Sequence, residues 1–510
     1  MSVLDWGIVA VYLAAMVAVG VALARRQRSA DDYFRAGRRV PAWAAALAIV
    51  ATSVSAATFL GAPEDAYNGN LTYLAVNIGQ ALAVVIVAVF FIPAFYRANV
   101  TTVYQLLARA QGTGAQRACS GAFMFGRLFA SGARLYIAAI PVSLIAFGDL
   151  SSTHIAMSIA IVAAVSIVYT LLGGLEAVVW TEAPQALIFI GAAVVLIVLL
   201  LTRIDASIPE IVAALGESRA ADGSSKLTLI DARTDPALPF TLWSALIGFT
   251  LFNLAVYGAD QDLAQRMLSC RNALQGAKSA VLSMFIGFGV AALFLVIGLL
   301  LFIFYTRPDL AGAAHARPAD SRQVILDFIL TECPSGVRGL MMAGVFAAAM
   351  SSLASSLTSL SSTAICDYYR PLAPGRSEAH YVRASRAAVV IWGCVLTAVA
   401  VVCMEWQKRS GQGLLTFAIG VMIFAYAGIL GVFLTAIFTR RGNSISAALA
   451  LVAGAAAVFL AQRPHLIRLP ELLGKPDLRF SLGWWMLAGT AASFLVCIAG
   501  RRGPGAEPSP

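Results

Sequence analysis

Apolar runs long enough to cross a bilayer recur from one end of the chain to the other, and charged residues gather in the short stretches between them. A membrane helix needs about 20 consecutive apolar residues. The runs fall at approximately 4–24, 41–66, 73–96, 118–147, 154–172, 180–201, 240–265, 276–305, 322–366, 383–403, 413–438, 444–461 and 482–500. Of the 510 residues, 60% are hydrophobic and 12% charged, against about 45–50% and about 25% in soluble domains. This excludes a water-soluble enzyme, a disordered chain and a secreted disulfide scaffold. The pattern specifies an all-α polytopic membrane protein of about 13 transmembrane helices in a single transmembrane domain, residues 1–502, followed by a disordered tail, 503–510. Within 322–366, Pro334–Gly336 breaks a short helix from the span that begins at Val337.

The formal net charge of +10 reports topology, not nucleic acid. Arginines follow the 4–24 run (Arg25, Arg26, Arg28), which therefore reads as a retained first span and not a cleaved signal. Counted alternately from there, Arg97, Arg109, Arg117, Arg266, Arg271, Lys278, Arg370, Arg376, Arg440, Arg441, Arg501 and Arg502 all fall on one side. Positive residues collect in cytoplasmic loops, so the N terminus is expected outside and the C terminus in the cytoplasm, in the cell inner membrane. Seven cysteines without a paired spacing behave as small hydrophobes, and four scattered histidines show no ligand set. No phosphate loop, kinase motif or nucleophile elbow is present in a fitting context, so no enzyme is expected.

Function in such a chain is marked by polar groups at membrane depth, each of which needs a partner. Four places break the apolar pattern. Ala51-Thr52-Ser53-Val54-Ser55-Ala56-Ala57-Thr58 puts hydroxyls in mid-span ahead of Gly61 and Pro63. Hydroxyl side chains compete for backbone hydrogen bonds, so a helix can unwind there and release carbonyls for an ion or solute; a small-residue packing face reads equally well. Ser351, Ser355 and Ser359 recur every fourth residue, with Ser352 and Ser356 on the next stripe. Such a stripe offers hard oxygen donors for a monovalent cation, or again a packing face. Glu182 is an intramembrane carboxylate, functional unless it sits at the cytoplasmic edge as a solvated or capping group. Arg134 lies too deep in its span to snorkel, and either bridges an internal acid or holds an anionic solute. Asn77, Gln80 and Asn253, taken alone, read as helix-to-helix hydrogen bonds, and Asp367 beside Tyr368 and Tyr369 as an interfacial anchor.

Together these segments resemble the sodium:solute symporter family over roughly residues 1–440. The resemblance is carried by Asp31-Asp32-Tyr33-Phe34-Arg35-Ala36-Gly37-Arg38-Arg39, Ser55 to Tyr67, Gly173-Gly174 through Thr181, Gly258-Ala259-Asp260-Gln261 through Arg266, and the serine run ending at Asp367-Tyr368. It implies a LeuT-type core of five-plus-five inverted repeats, about 41–201 and 240–438. Counting 4–24 as helix 0, helices 1 and 6 are broken, and 4–24, 444–461 and 482–500 are peripheral. It implies Na+ held by the carbonyls of Ala51, Val54 and Ala348 and the hydroxyls of Ser351 and Ser352. A second ion, or a coupling role, would fall to Ser355 and Glu182, although Ala354 stands where such members have serine and Glu182 where they have aspartate. The solute pocket it implies takes in Ser53, Ser55, Thr58, Asn77, Gln80, Arg134 and Asn253. Sugar-carrying members have glutamine at Thr58, glutamate near Asn77 and lysine at Gly287, whereas an arginine like Arg134 occurs in sialic-acid-carrying members. The expectation is a sodium-coupled symporter importing a small organic solute, with Arg134 favouring a carboxylate. Its rivals are a solute-sensing membrane module of the same fold, and proton coupling through Glu182.

Overall fold

The structure, a computed structural model, describes residues 1–24, 34–318, 320–468, 471 and 478–501. Asp31, Asp32, Tyr33 and the 503–510 tail lie outside the described residues. Among these residues nine helices are long and apolar enough to cross a membrane, or ten when one bent pair is taken as a span, and three shorter apolar helices accompany them. All of them fall on the segments expected from hydropathy. In chain order they are α1 (Val3–Ala24), α2a (Ala42–Ser53) with α2b (Ala56–Asn68), α3 (Thr72–Arg97), α4 (Thr113–Phe147), α5 (152–173) and α6 (Gly174–Arg203). Then come α7a (Ser244–Gly258) with α7b (Gln261–Leu268), α8 (Ala273–Thr306), α9 (Val337–Leu372), α10 (Glu378–Ser410), α11 (Leu414–Phe438), α12 (Ser444–Gln462) and α13 (Leu482–Ala499). No break of several residues separates α5 from α6: the helix bends at Gly174, whose φ of 55° suits a residue without a Cβ.

Two helices are broken, both beside polar residues. In α2 the last bond of the first half runs from Val54 N to Val50 O, 2.8 Å. Val54 is then extended (φ −84°, ψ 108°), and Ser55 starts the second half by accepting from Ala57 N. Ser, Thr, Asn and Asp make good N-caps because a side-chain oxygen satisfies a free N–H, and Ser55 here turns the chain by 61°. In α7 the break falls at Ala259–Asp260, and the Asp260 carboxylate caps α7b through Asp262 N. A helix that ends leaves its last four carbonyls without intrahelical partners, so each break exposes acceptors inside the protein.

Packing fixes where those acceptors point. The second half of the first broken helix, α2b, is pinned by Phe59, whose ring lies 5.7 Å from Phe189 of α6 and 5.2 Å from Phe294 of α8. Gly298 of α8 has no room for a side chain, since a Cβ there would lie 2.4 Å from Pro63 O. The serine helix α9 is almost wholly enclosed, and Ser351, Ser352, Ser355, Ser356 and Ser359 are all buried. Most of these hydroxyls bond back to carbonyls of their own helix, as Ser356 does to Ser352 O at 2.9 Å.

The first helix anchors this serine helix. Asp5 of α1 is fully buried, and its Oδ1 accepts from Gly336 N at 2.8 Å and Gly339 N at 3.0 Å, at the start of α9. Its Oδ2 accepts from Ser2 N and Ser2 Oγ. A carboxylate at a helix N terminus satisfies free N–H groups and meets the positive end of the helix dipole. Asp5→Ala is expected to cost about 0.5–2 kcal/mol, read as a fall in the melting temperature of the detergent-solubilised protein, with Asp5→Asn falling less. An unchanged midpoint in both variants would show that α9 does not depend on this cap.

Candidate functional site

The carbonyls freed in α2a find two partners on successive residues. Ala51 O accepts from Ser351 Oγ of α9 at 2.8 Å, and Thr52 O accepts from Arg134 Nη1 of α4 at 3.3 Å. Ser351 Oγ also lies 3.3 Å from Ala348 O, and Ser352 Oγ donates to Ala348 O at 3.1 Å. Two serines, two carbonyls and the extended Val54 thus meet where α2 is broken. The hydroxyl hydrogens occupy positions against the carbonyls that a small cation would take, and rotating the hydroxyls would turn their lone pairs inward.

Arg134 also lines a cavity of about 140 Å³. All seven residues expected around a solute line it: Ser53, Ser55, Thr58, Asn77, Gln80, Arg134 and Asn253. Gln80 Nε2 donates across to Tyr257 Oη of α7a at 2.7 Å, a helix-to-helix bond as expected. Asn77 and Asn253 instead donate to Leu74 O and Phe249 O of their own helices, at 3.2 and 2.8 Å. A second, much smaller void touches Ser55, Ser131, Arg134, Ala348 and Ser352, and so lies between the cavity and the serine cluster.

The two arginines in the middle of α4, Arg127 and Arg134, have different surroundings. Arg134 has no carboxylate within 4.0 Å among the described residues; its side-chain hydrogen bonds there go to Thr52 O and to Met422 Sδ, the latter at 3.5 Å. Arg127, two turns away, takes the internal acids. Its Nη1 lies 2.8 Å from Asp260 Oδ2, its Nη2 pairs with Asp262, and its Nε donates to Ser356 Oγ at 3.2 Å. Tyr426 of α11 donates to Asp260 and accepts from Arg127 at 3.0 Å. Glu182 is fully buried, not at a solvated edge. Arg266 grips it through Nη2 at 2.5 Å and Nε at 2.9 Å, and Thr52 Oγ1 donates to it at 3.3 Å. Asp262 also accepts from Arg266, and Ser355 donates to Asp262 and to Thr52 Oγ1.

One frame therefore ties α2a, α4, α6, α7b and α9 together directly behind the serine cluster. The sequence pointed to Glu182, Ser355 and the Asp260–Arg266 stretch but not to this pairing, and it missed Arg127 and Tyr426. The available signal was Arg127 at i−7 from Arg134 on the same apolar helix, because two buried guanidiniums in one span require acids elsewhere. Asp367 is also corrected. It is 1% exposed, and its carboxylate accepts from Thr102 Oγ1 at 2.7 Å and Gln116 Nε2 at 2.8 Å, so neighbouring side chains and not interfacial water solvate it.

The described residues form an all-helical polytopic bundle with two internal breaks beside a cavity, and the relatives this chain matches are transporters, not enzymes. A family model described as "Sodium:solute symporter family" matches residues 33–454, and the chain belongs to that family. Among relatives, it is 31% identical over 453 residues to the sodium/sialic acid symporter NanT of Aliivibrio fischeri, covering 88% of this chain and 85% of that one. It is 28% identical to the human sodium/iodide cotransporter, over 89% of this chain and 68% of the other. A solved structure of a Na+-coupled sialic acid symporter, substrate-bound and outward-open, superposes with a TM-score of 0.81 at 27% identity, covering 98% and 97% of the two chains.

Removing one member of a buried ion pair leaves an uncompensated charge and costs about 3–5 kcal/mol, whereas replacing both by apolar groups is far milder. Arg266→Leu is therefore expected to destabilise the protein by about that amount, and Glu182→Leu with Arg266→Leu to recover much of it in thermal unfolding. A double variant as unstable as the sum of the two singles would contradict the pairing.

Proposed function

We propose that this protein is a Na+-coupled secondary active symporter that imports a small organic solute bearing a carboxylate. Sodium is assigned to the carbonyls of Ala51, Val54 and Ala348 and the hydroxyls of Ser351 and Ser352. The carboxylate is assigned to Arg134, with Ser53, Ser55, Thr58, Asn77, Gln80 and Asn253 around the solute. The observation that carries this reading is the pair of adjacent carbonyls in α2a, one bonded to the serine helix and the next to Arg134. An isolated buried cation costs on the order of tens of kcal/mol, and only a near-complete oxygen shell offsets that. The sodium/sialic acid relative, whose solute is a carboxylated sugar, supports an acid as cargo.

Charge balance supports it as well. In ionised form the frame behind the cage holds three carboxylates, Glu182, Asp260 and Asp262, against two guanidiniums, Arg127 and Arg266. That surplus negative charge favours a cation in the cage, while Arg134, without an acid of its own, favours an anion in the cavity. Ion binding fixes α2a against α9, and with them the Thr52 carbonyl that orients Arg134. By linkage, sodium raises solute affinity and solute raises sodium affinity by the same factor. Ser355 and Glu182 hold the frame in this account. The membrane is the cell inner membrane, with the N terminus outside and the C terminus cytoplasmic.

Reconstituted into liposomes, the protein is expected to accumulate an organic acid when a sodium gradient points inward. Ser351→Ala and Ser352→Ala should each raise the sodium concentration needed for half-maximal uptake by tenfold or more without loss of fold. Unchanged sodium dependence in both, or uptake that follows a proton gradient and ignores sodium, would overturn the assignment. Arg134→Ala should weaken acid binding by about ten- to a hundredfold, since about 1.5–3 kcal/mol is at stake in a hydrogen bond to a charged group; retained affinity would return Arg134 to a structural role.

A further inference from the structure

The last two helices, α12 and α13, pack against each other and against α11. Two close contacts set the spacing of the pair. A Cβ on Gly489 of α13 would lie 3.0 Å from Gly454 O of α12, and one on Gly500 would lie 2.2 Å from Ser446 Oγ. Over the second contact, Ile445 and Leu449 of α12 and Leu495, Val496 and Ala499 of α13 line a groove. The polar side chains that also line it are engaged with backbone. Asn443 Oδ1 accepts from Ile445 N and Ser446 N, its Nδ2 donates to Arg501 O, and Ser446 Oγ accepts from Asn443 N and donates to Asn443 O. The groove therefore offers a hydrocarbon surface, and Ile445, Leu449 and Leu495 are exposed on it.

One end of this groove is strongly basic. Arg441 and Arg501 form an antiparallel backbone bridge beside the bond from Gly442 N to Gly500 O, 2.9 Å. Directly opposed residues put their side chains on one face with Cβ atoms about 4.5–5.5 Å apart, and like charges so placed repel. Arg440 adjoins the pair, and all three arginines are exposed. None of them forms an ion pair among the described residues. The neighbouring chain supplies no acid either, since Asp and Glu are absent from 411–470 and from 481–501. The N terminus of α12 starts three residues after Arg441 and adds the positive end of a 19-residue helix. A phosphate between the two arginines would relieve their repulsion, because a guanidinium bonds phosphate oxygens two at a time. In the proposed topology this end is cytoplasmic, on the leaflet where anionic headgroups attract basic residues.

We propose that the groove between α12 and α13 is a binding site for an acidic phospholipid, its phosphate between Arg441 and Arg501 and one acyl chain laid between Leu449 and Leu495. The site is separate from the cavity and rests on neither the ion nor the solute assignment. The test is titration of the full-length protein in mild detergent with phosphatidylglycerol or phosphatidylcholine of equal chain length, bound lipids being counted by native mass spectrometry. Phosphatidylglycerol should bind more tightly by about tenfold or more. Arg441→Gln with Arg501→Gln should remove most of that preference. Arg271→Gln with Lys278→Gln, an equal charge change that the sequence places on the same side of the membrane, should leave it intact. Ala499→Phe, which fills the groove from an exposed position, should weaken phosphatidylglycerol binding. Excess inorganic phosphate should not displace the lipid. Equal affinity for the two lipids, or an equal loss of preference in the Arg271 and Lys278 variant, would overturn the assignment to the arginine pair. Unchanged binding in Ala499→Phe, or displacement by inorganic phosphate, would overturn the acyl groove and reduce the site to a surface anion site.

Discussion

The unwinding of α2 at Val54 is the constraint on which the site depends. A continuous helix would spend every interior carbonyl on its own ladder, and a membrane interior offers no water to replace a lost bond. By stopping at Ser53 and restarting at Ala56, the chain strands the carbonyls of Ala51 and Thr52 in the middle of the bundle. They are satisfied by two different helices, α9 through Ser351 and α4 through Arg134. The same backbone segment is thereby shared between a cluster of hard oxygens and Arg134, which lines the cavity with no acid paired to it among the described residues. A displacement of α2a that improves one contact alters the other, which is the physical content of coupling between an ion and a solute.

The charged frame explains why such a break can be held in place. Buried ion pairs are poor sources of net stability, since desolvation offsets most of their attraction, but they are severe about geometry. Glu182 on α6 meets Arg266 on α7b, Asp262 meets both Arg266 and Arg127, and Thr52 and Ser355 bond into the same group. Five helices are thus registered against one another around the polar edge of the broken segment. The apolar face of α11 also lines the cavity, and Tyr426 of the same helix bonds to Asp260 and Arg127, so α11 is held by the frame as well.

Much of this was legible in the sequence because the signals are local. Spans follow from hydropathy, while the mid-helix hydroxyls around Val54 allowed a break or a packing face equally, and it was the family resemblance that implied the break. The serine stripe follows from a four-residue spacing that places Ser351 and Ser355 on the face meeting α2a. The seven residues expected around a solute do line one cavity. What could not be read is which partner each buried charge selects. Arg127 and Arg134 sit two turns apart in similar local sequence, Gly-Arg-Leu and Ala-Arg-Leu, and only the three-dimensional placement of α7b decides that the first meets Asp260 and Asp262 while the second does not. Glu182 was visible as an anomaly, but its engagement by Arg266 joins residues 84 apart in sequence. Asp367 was misjudged because the turn that carries it inward depends on donors from Thr102 and Gln116, far away in the chain.

The most direct measurement is a high-resolution density map of the full-length protein in lipid, recorded in saturating sodium and again in a sodium-free, bulky-cation buffer. The account predicts ion density in sodium alone, in contact with the Ala51, Val54 and Ala348 carbonyls and the Ser351 and Ser352 hydroxyls. An α2 that runs unbroken through Val54, or a Ser351 hydroxyl that still donates to Ala51 O in saturating sodium with no density beside it, would contradict it.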